Sequence, residues 1–214
     1  MIHGLLIEGT DYAGKTTVCK LLGAHLTAAG LPARLGHCYV FDMPILDHFL
    51  AEAKRTPDLL QIDWFYSANI LLDLARCHRG LPSGFLVQDR HWLSQVGRNR
   101  FFHPDVAGLP SQLIWDEHLP FAFNYYLTST PKAKRERALL RPSKSVRDTY
   151  LRDNPERHQA YDEFLVSLLP SEERWTVVDT SELRPEQVAE RIATDVLRRL
   201  HAEAPAQVRP AVAR

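Results

Sequence analysis

Residues 9–16 read Gly9-Thr10-Asp11-Tyr12-Ala13-Gly14-Lys15-Thr16, a G-x-x-x-x-G-K-[ST] pattern without a mismatch. The chemistry that this spacing can do is phosphate binding. Glycine lets the backbone turn with its amide N–H groups pointing inward, a nest for phosphate oxygens. Lys15 adds a point charge for the β- and γ-phosphates of ATP, and Thr16 offers a hydroxyl to Mg²⁺. A helix starting at Lys15, Thr16 and Thr17 would turn its positive end to the same anion.

Two further features fit that chemistry. Phe85-Leu86-Val87-Gln88-Asp89-Arg90-His91 puts an acid where an apolar run ends. Ligands of parallel α/β sheets sit outside the carboxyl ends of the strands, so Asp89 is expected beside Thr16 as a second Mg²⁺ ligand. Between Lys132 and Arg152, eight basic residues (Lys132, Lys134, Arg135, Arg137, Arg141, Lys144, Arg147, Arg152) face only Glu136 and Asp148. Phosphoryl transfer is mostly positioning plus neutralisation of spreading charge. Arg137, Arg141 and Arg147 on a flap could close over the phosphates and exclude water. A solvated helix face is the bland reading of the same run.

These residues need a scaffold, and apolar runs alternating with amphipathic stretches supply it. Gly4–Ile7 predicts a buried strand and Gly14–Ala29 a helix with Val18, Leu21, Leu22 and Leu26 on one side. Further strands are expected at Arg34–Phe41, Gly84–Val87, Phe121–Leu127 and Trp175–Val178. Helices are expected at Pro44–Lys54, Pro57–Arg79 and Pro185–Leu200. The 214 residues are 45% hydrophobic and 24% charged, with 26 basic and 26 acidic side chains. That composition excludes wholesale disorder, and the neutral balance argues against a partner of long nucleic acid. No apolar run reaches the roughly 18–20 residues that span a bilayer, so no membrane association is expected. The start of the chain lacks the features of a signal peptide. Cys19, Cys38 and Cys77, without CxxC spacing, read as reduced thiols of a cytoplasmic protein. His37-Cys38 and His103 match no zinc spacing.

The loop, the Asp-Arg-His triplet and the basic run together resemble the thymidylate kinases. Leu6-Ile7-Glu8-Gly9-Thr10-Asp11-Tyr12-Ala13-Gly14-Lys15-Thr16-Thr17 is similar to their IEGxDxAGKTT loop. Asp89-Arg90-His91 with Ser94 is similar to DR[YH]xxS, and Tyr125-Tyr126-Leu127 with Pro131 to the strand that enters their lid. The resemblance implies an α/β fold of the P-loop NTPase class: a five-stranded parallel sheet flanked by helices, with a short basic lid at about 137–152. Residues 1–202 would be the kinase domain and 203–214 a disordered tail. It further implies that Gly9 to Thr17 bind ATP and that Asp11 touches the sugar of a nucleotide-like acceptor. Arg90 would hold the acceptor phosphate, Phe65 or Tyr66 would stack on its base, and a homodimer would form.

Two departures fall on the acceptor side. The arginine ending the family's FxxxR segment is replaced by Asn69 or Ile70, depending on a one-residue shift. Its REPGG loop is replaced by Gly36-His37-Cys38-Tyr39-Val40-Phe41-Asp42-Met43-Pro44. A charge-assisted contact worth about 2–3 kcal/mol is lost with the arginine. The expectation is an ATP-dependent kinase acting on a nucleoside monophosphate such as dTMP. The alternative acceptor is a hydroxyl of a nucleoside or another metabolite, which would need Asp11 or Asp42 as base. A P-loop switch is the competing class, but the chain has no NKxD base-recognition motif.

Overall fold

The computed structural model describes residues 1–55, 58–105, 108–140 and 146–203, with the side chains of 146–148, 151 and 203 outside that description. Its centre is an all-parallel sheet of five strands: β1 (Ile2–Glu8), β2 (Ala33–His37), β3 (Phe85–Asp89), β4 (Phe121–Thr128) and β5 (Trp175–Asp179). The strand order is β2-β3-β1-β4-β5, which makes β1 central. Parallel strands need crossovers, and helices supply them on both faces.

The period of two along each strand sorts the core into two layers. Leu5, Ile7, Val87, Tyr125 and Leu127 point one way, onto α1 (Lys15–Ala28) and α9 (Pro185–Glu203). Ile2, Leu6, Leu86 and Tyr126 point the other way. They meet α3 (Leu59–Arg79), α4 (Trp92–Phe102), α5 (Gly108–Glu117) and α8 (Pro155–Ser167). Strands buried on both faces read as continuous apolar runs, which is why β1, β3 and β4 were legible.

Register then sets the site. Ile7 pairs with Asp89, and His37 with Asp89, so β1, β2 and β3 end side by side. The amide of Arg90 donates to the Ile7 carbonyl and that of Cys38 to the Asp89 carbonyl. β2 stops at His37 rather than Phe41 because Cys38 enters the left-handed region at φ 62°. The amides of Val40 and Phe41 then leave the sheet to donate to the Asp73 carboxylate at 2.8 and 2.9 Å. α2 (Pro44–Ala53) follows with proline in its first turn. α3 starts at Leu59, where the Asp58 side chain caps it by accepting from the Gln61 amide. The expected start at Pro57 lies outside the described residues. α6 (Pro131–Leu139) and α7 (Val146–Asp153) flank the residues around 141–145. Arg141 and Lys144 lie outside the described residues, as does the Arg147 side chain. So does the tail from residue 204 onward.

Candidate active site

The phosphate loop needs glycine where its backbone is left-handed or crowded. Gly9 has φ 140°, and a Cβ there would lie 2.2 Å from the Leu127 carbonyl oxygen. Gly14, at φ 92°, is the residue before the first turn of α1. Tyr12 also takes a positive φ of 64°, with its ring buried. Lys15 is buried, and its ammonium donates to the Thr10 carbonyl at 2.6 Å. Burial and the neighbouring Arg90 charge bring its pKa down to about 8 against the pull of Asp11, Asp89 and Glu8.

Thr16 and Asp89 meet as the sequence predicts. The Thr16 hydroxyl donates to Asp89 Oδ2 at 2.6 Å, and His37 Nδ1 approaches the same oxygen at 3.2 Å. Burial works to raise the Asp89 carboxyl, but the His37 hydrogen bond and the charges of Lys15 and Arg90 hold it at about 2. The other oxygen, Oδ1, is buried without a hydrogen-bond partner. A hydroxyl beside an ionised carboxylate with one oxygen unspent is a hard-oxygen donor set that suits Mg²⁺. A cavity of about 410 Å³ runs from this pair past Lys20, Tyr39 and Asp42.

Arg90 sits across the loop from Lys15. Its φ of 65° turns the side chain over the sheet end, where it donates to the Gly9 carbonyl and the Ser94 hydroxyl at 3.0 Å each. It also pairs with Asp11. Burial favours the protonated Asp11 carboxyl, but Arg90 and Lys15 outweigh it and hold that group far below the carboxylate range. Glu8, the last residue of β1, is fully buried and caps α4: it accepts from the His91 and Ser94 amides at 2.8 and 3.2 Å and from the Ser94 hydroxyl.

The remaining predicted residues separate. Arg137 donates to the carbonyl of Tyr12 at 3.2 Å and to the Thr180 hydroxyl at 3.0 Å, tying α6 to the loop and to the turn after β5. Phe65 packs partly buried against Leu50, Ala53 and Ile62. Two cations lie over the Tyr66 ring, Arg98 at 4.6 Å and Lys54 at 5.2 Å from its centre. Asn69 is buried and donates to the Tyr39 hydroxyl at 3.0 Å, while Ile70 is in the core. Thr17 is exposed one residue beyond Thr16. His37 reaches Asp89 and His103 reaches Asp63 at 3.1 Å. Among the described residues no group of three or more metal-binding side chains forms.

Sequence reasoning missed a second polar centre. Asp162 on α8 accepts from Thr10 and Thr128 hydroxyls at 3.1 Å each, from the Tyr126 hydroxyl at 2.6 Å and from Lys134 at 2.6 Å. This network fixes the loop at Thr10. Beside it, burial and the Lys134 charge lower the His158 pKa to about 4, so its ring is neutral near pH 7. Its partners lie 28 to 152 residues away in sequence, so no local pattern announces Asp162.

Comparison with known proteins gives a fold and no sequence family. No protein-family model matches the chain, and no curated protein matches it in sequence. Its structure resembles that of the thymidylate kinase from Candida albicans, with a TM-score of 0.70 over 94% of each chain at 16% identity. The fold is thymidylate kinase-like: a five-stranded all-parallel α/β sheet flanked by helices.

Proposed function

We propose that this protein transfers the γ-phosphate of ATP, with Mg²⁺, to a nucleoside monophosphate. The observation that carries the reading is convergence: Lys15, the Thr16–Asp89 pair and the Arg90–Asp11 pair meet where β1 and β3 end together. Lys15 and the loop amides would hold the β- and γ-phosphates. Thr16 and Asp89 would hold Mg²⁺, which when bound neutralises and orients those phosphates. Arg90 would place the acceptor phosphate, its own charge secured by Asp11. Arg137, fixed on Tyr12 and Thr180, would keep the basic lid against the loop, with Arg141 and Arg147 further along it as additional charge.

The state of Asp11 favours a phosphate acceptor. A phosphate oxygen is already nucleophilic, whereas a hydroxyl needs a base. Asp11 is locked to Arg90 and held strongly ionised, which makes it a poor proton acceptor. Asn69 or Ile70, whichever stands where the resemblance leads one to look for arginine, is the observation favouring a hydroxyl acceptor, with exposed Asp42 left as its base. The three cysteines are free, in keeping with a cytoplasmic enzyme. Among the described residues no helix is long and apolar enough to cross a membrane.

The test is ADP release measured against a panel of nucleoside monophosphates, nucleosides and no acceptor. Release stimulated by a monophosphate supports the reading. Equal release without any acceptor identifies an NTP-hydrolysing switch, and stimulation by nucleosides alone identifies the hydroxyl route.

A further inference from the structure

Where the chain enters β4 and β5, away from the phosphate loop, four rings form one cluster. His118 lies between α5 and β4, and Trp115, Trp92 and Trp175 come from α5, α4 and β5. The imidazole stacks on the Trp92 indole, 3.9 Å between centres and 29° between planes. Trp115 and Trp175 meet that indole edge-on at 5.5 and 6.4 Å. Both nitrogens of His118 face oxygens: Nδ1 the Trp115 carbonyl, and Nε2 the Glu173 carboxylate at 2.6 Å. The His118 and Glu173 side chains are only 15% and 10% exposed. A carbonyl and an ionised carboxylate can only accept, so the ring meets both as a doubly donating imidazolium. Among the described residues, Asp116 of α5 supports that charge and Arg100 of α4 lies over the Trp115 ring at 5.0 Å. Glu117 pairs with His78 of α3 at 3.2 Å, and Glu172 and Arg174 beside Glu173 are exposed. Burial opposes the charge, but Glu173, the Trp115 carbonyl and Asp116 outweigh it and raise the His118 pKa. The arrangement also carries a cost. Among the described residues, Glu173 Oε2 and the indole nitrogens of Trp92 and Trp175 are buried without a hydrogen-bond partner. Water reaching those three groups would relieve that cost, and the imidazolium–carboxylate bond is what offsets it while the cluster is shut.

We propose that His118 and Glu173 form a pH-operated clasp. The protonated ring fastens the end of α5 to the turn before β5 across the face of Trp92. Loss of its proton frees that turn and admits water to the three unpaired groups. Because the folded ring holds its proton more tightly than the unfolded chain does, the clasp stabilises fully below about pH 6.5 and is lost as the pH rises through the raised value. Trp92 is the first residue of α4 and stands two residues beyond Arg90, so the clasp steadies the helix whose Ser94 accepts from that arginine.

The test is a titration of the full chain from about pH 6 to about pH 10, read by tryptophan emission and by the NMR signal of the His118 ring. An imidazolium stacked on an indole quenches it. The native chain is therefore expected to brighten in one reversible step, and the ring signal to move with the same midpoint, above about 6.5. Glu173→Gln keeps the shape but removes the facing charge, and should lower that midpoint by about 1–3 pH units. His118→Gln should abolish the step. Four results would each overturn the clasp: no step in that interval, a ring signal that titrates without a change in emission, a step that survives in His118→Gln, or a midpoint that Glu173→Gln leaves in place. If His118→Gln does not fold, the native titration and the Glu173→Gln midpoint decide the matter.

Discussion

The two ends of the candidate site are built from different material. The proposed donor end is positioned by backbone: a loop with positive φ packed on β4, a lysine bonded to its own loop, and a hydroxyl–carboxylate pair aligned by strand register. The proposed acceptor end is made of side chains from separate helices, with Phe65 and Tyr66 on α3 and, on α4, Ser94, which accepts from Arg90. Backbone geometry tolerates few substitutions, whereas side chains on helices can be exchanged one at a time. This is how a chain can keep an intact glycine-rich loop while carrying Asn69 and Ile70 buried on α3 and a different loop anchored on Asp73.

If that contrast is right, damage to the donor end abolishes turnover and damage to the acceptor end changes its terms. Lys15→Ala is expected to lower kcat by about 10³-fold or more with the far-UV spectrum unchanged, since it removes the charge on the transferring group. Near-normal turnover in that variant would remove the loop from the chemistry. Arg90→Ala should lower kcat/KM for the acceptor by roughly 10²-fold, with the KM for ATP moving less than about threefold. An effect confined to ATP would assign Arg90 to the donor end. Asp89→Asn is expected to raise the Mg²⁺ concentration needed for half-maximal rate about tenfold, checked by metal titration.

The smallest effect concerns the seam between the two ends. His158 is buried and neutral in the fold, where burial and the Lys134 charge bring its pKa down to about 4 from an ordinary 6.5. The unfolded chain therefore binds its proton first as the pH falls. Stability from this ring is full above pH 6.5 and is lost between 6.5 and 4, by roughly 3 kcal/mol. His158→Gln should flatten the thermal midpoint over that interval, and an unchanged acid slope would show that the ring is already solvated.

Legibility in the sequence followed the same division. The loop, the strands buried on both faces and Asp89 could be read because local spacing determines them. β2 was overextended because Tyr39-Val40-Phe41 is apolar, and only the distant Asp73 draws those amides off the sheet. Asp162 acts through partners 28 to 152 residues away and Glu8 through partners more than 80 away, so pattern could place neither role. Tyr66 and Asn69 lie on the expected helix, yet their partners Arg98, Lys54 and Tyr39 are visible only in three dimensions.

The central claim, that both ends serve one phosphoryl transfer, is tested most directly by following label from γ-³²P-ATP in the presence of Mg²⁺ and a monophosphate acceptor panel. The account predicts label in a nucleoside diphosphate, formed in step with ADP and absent when the acceptor is omitted. Label released only as inorganic phosphate, at a rate indifferent to every acceptor, would contradict it.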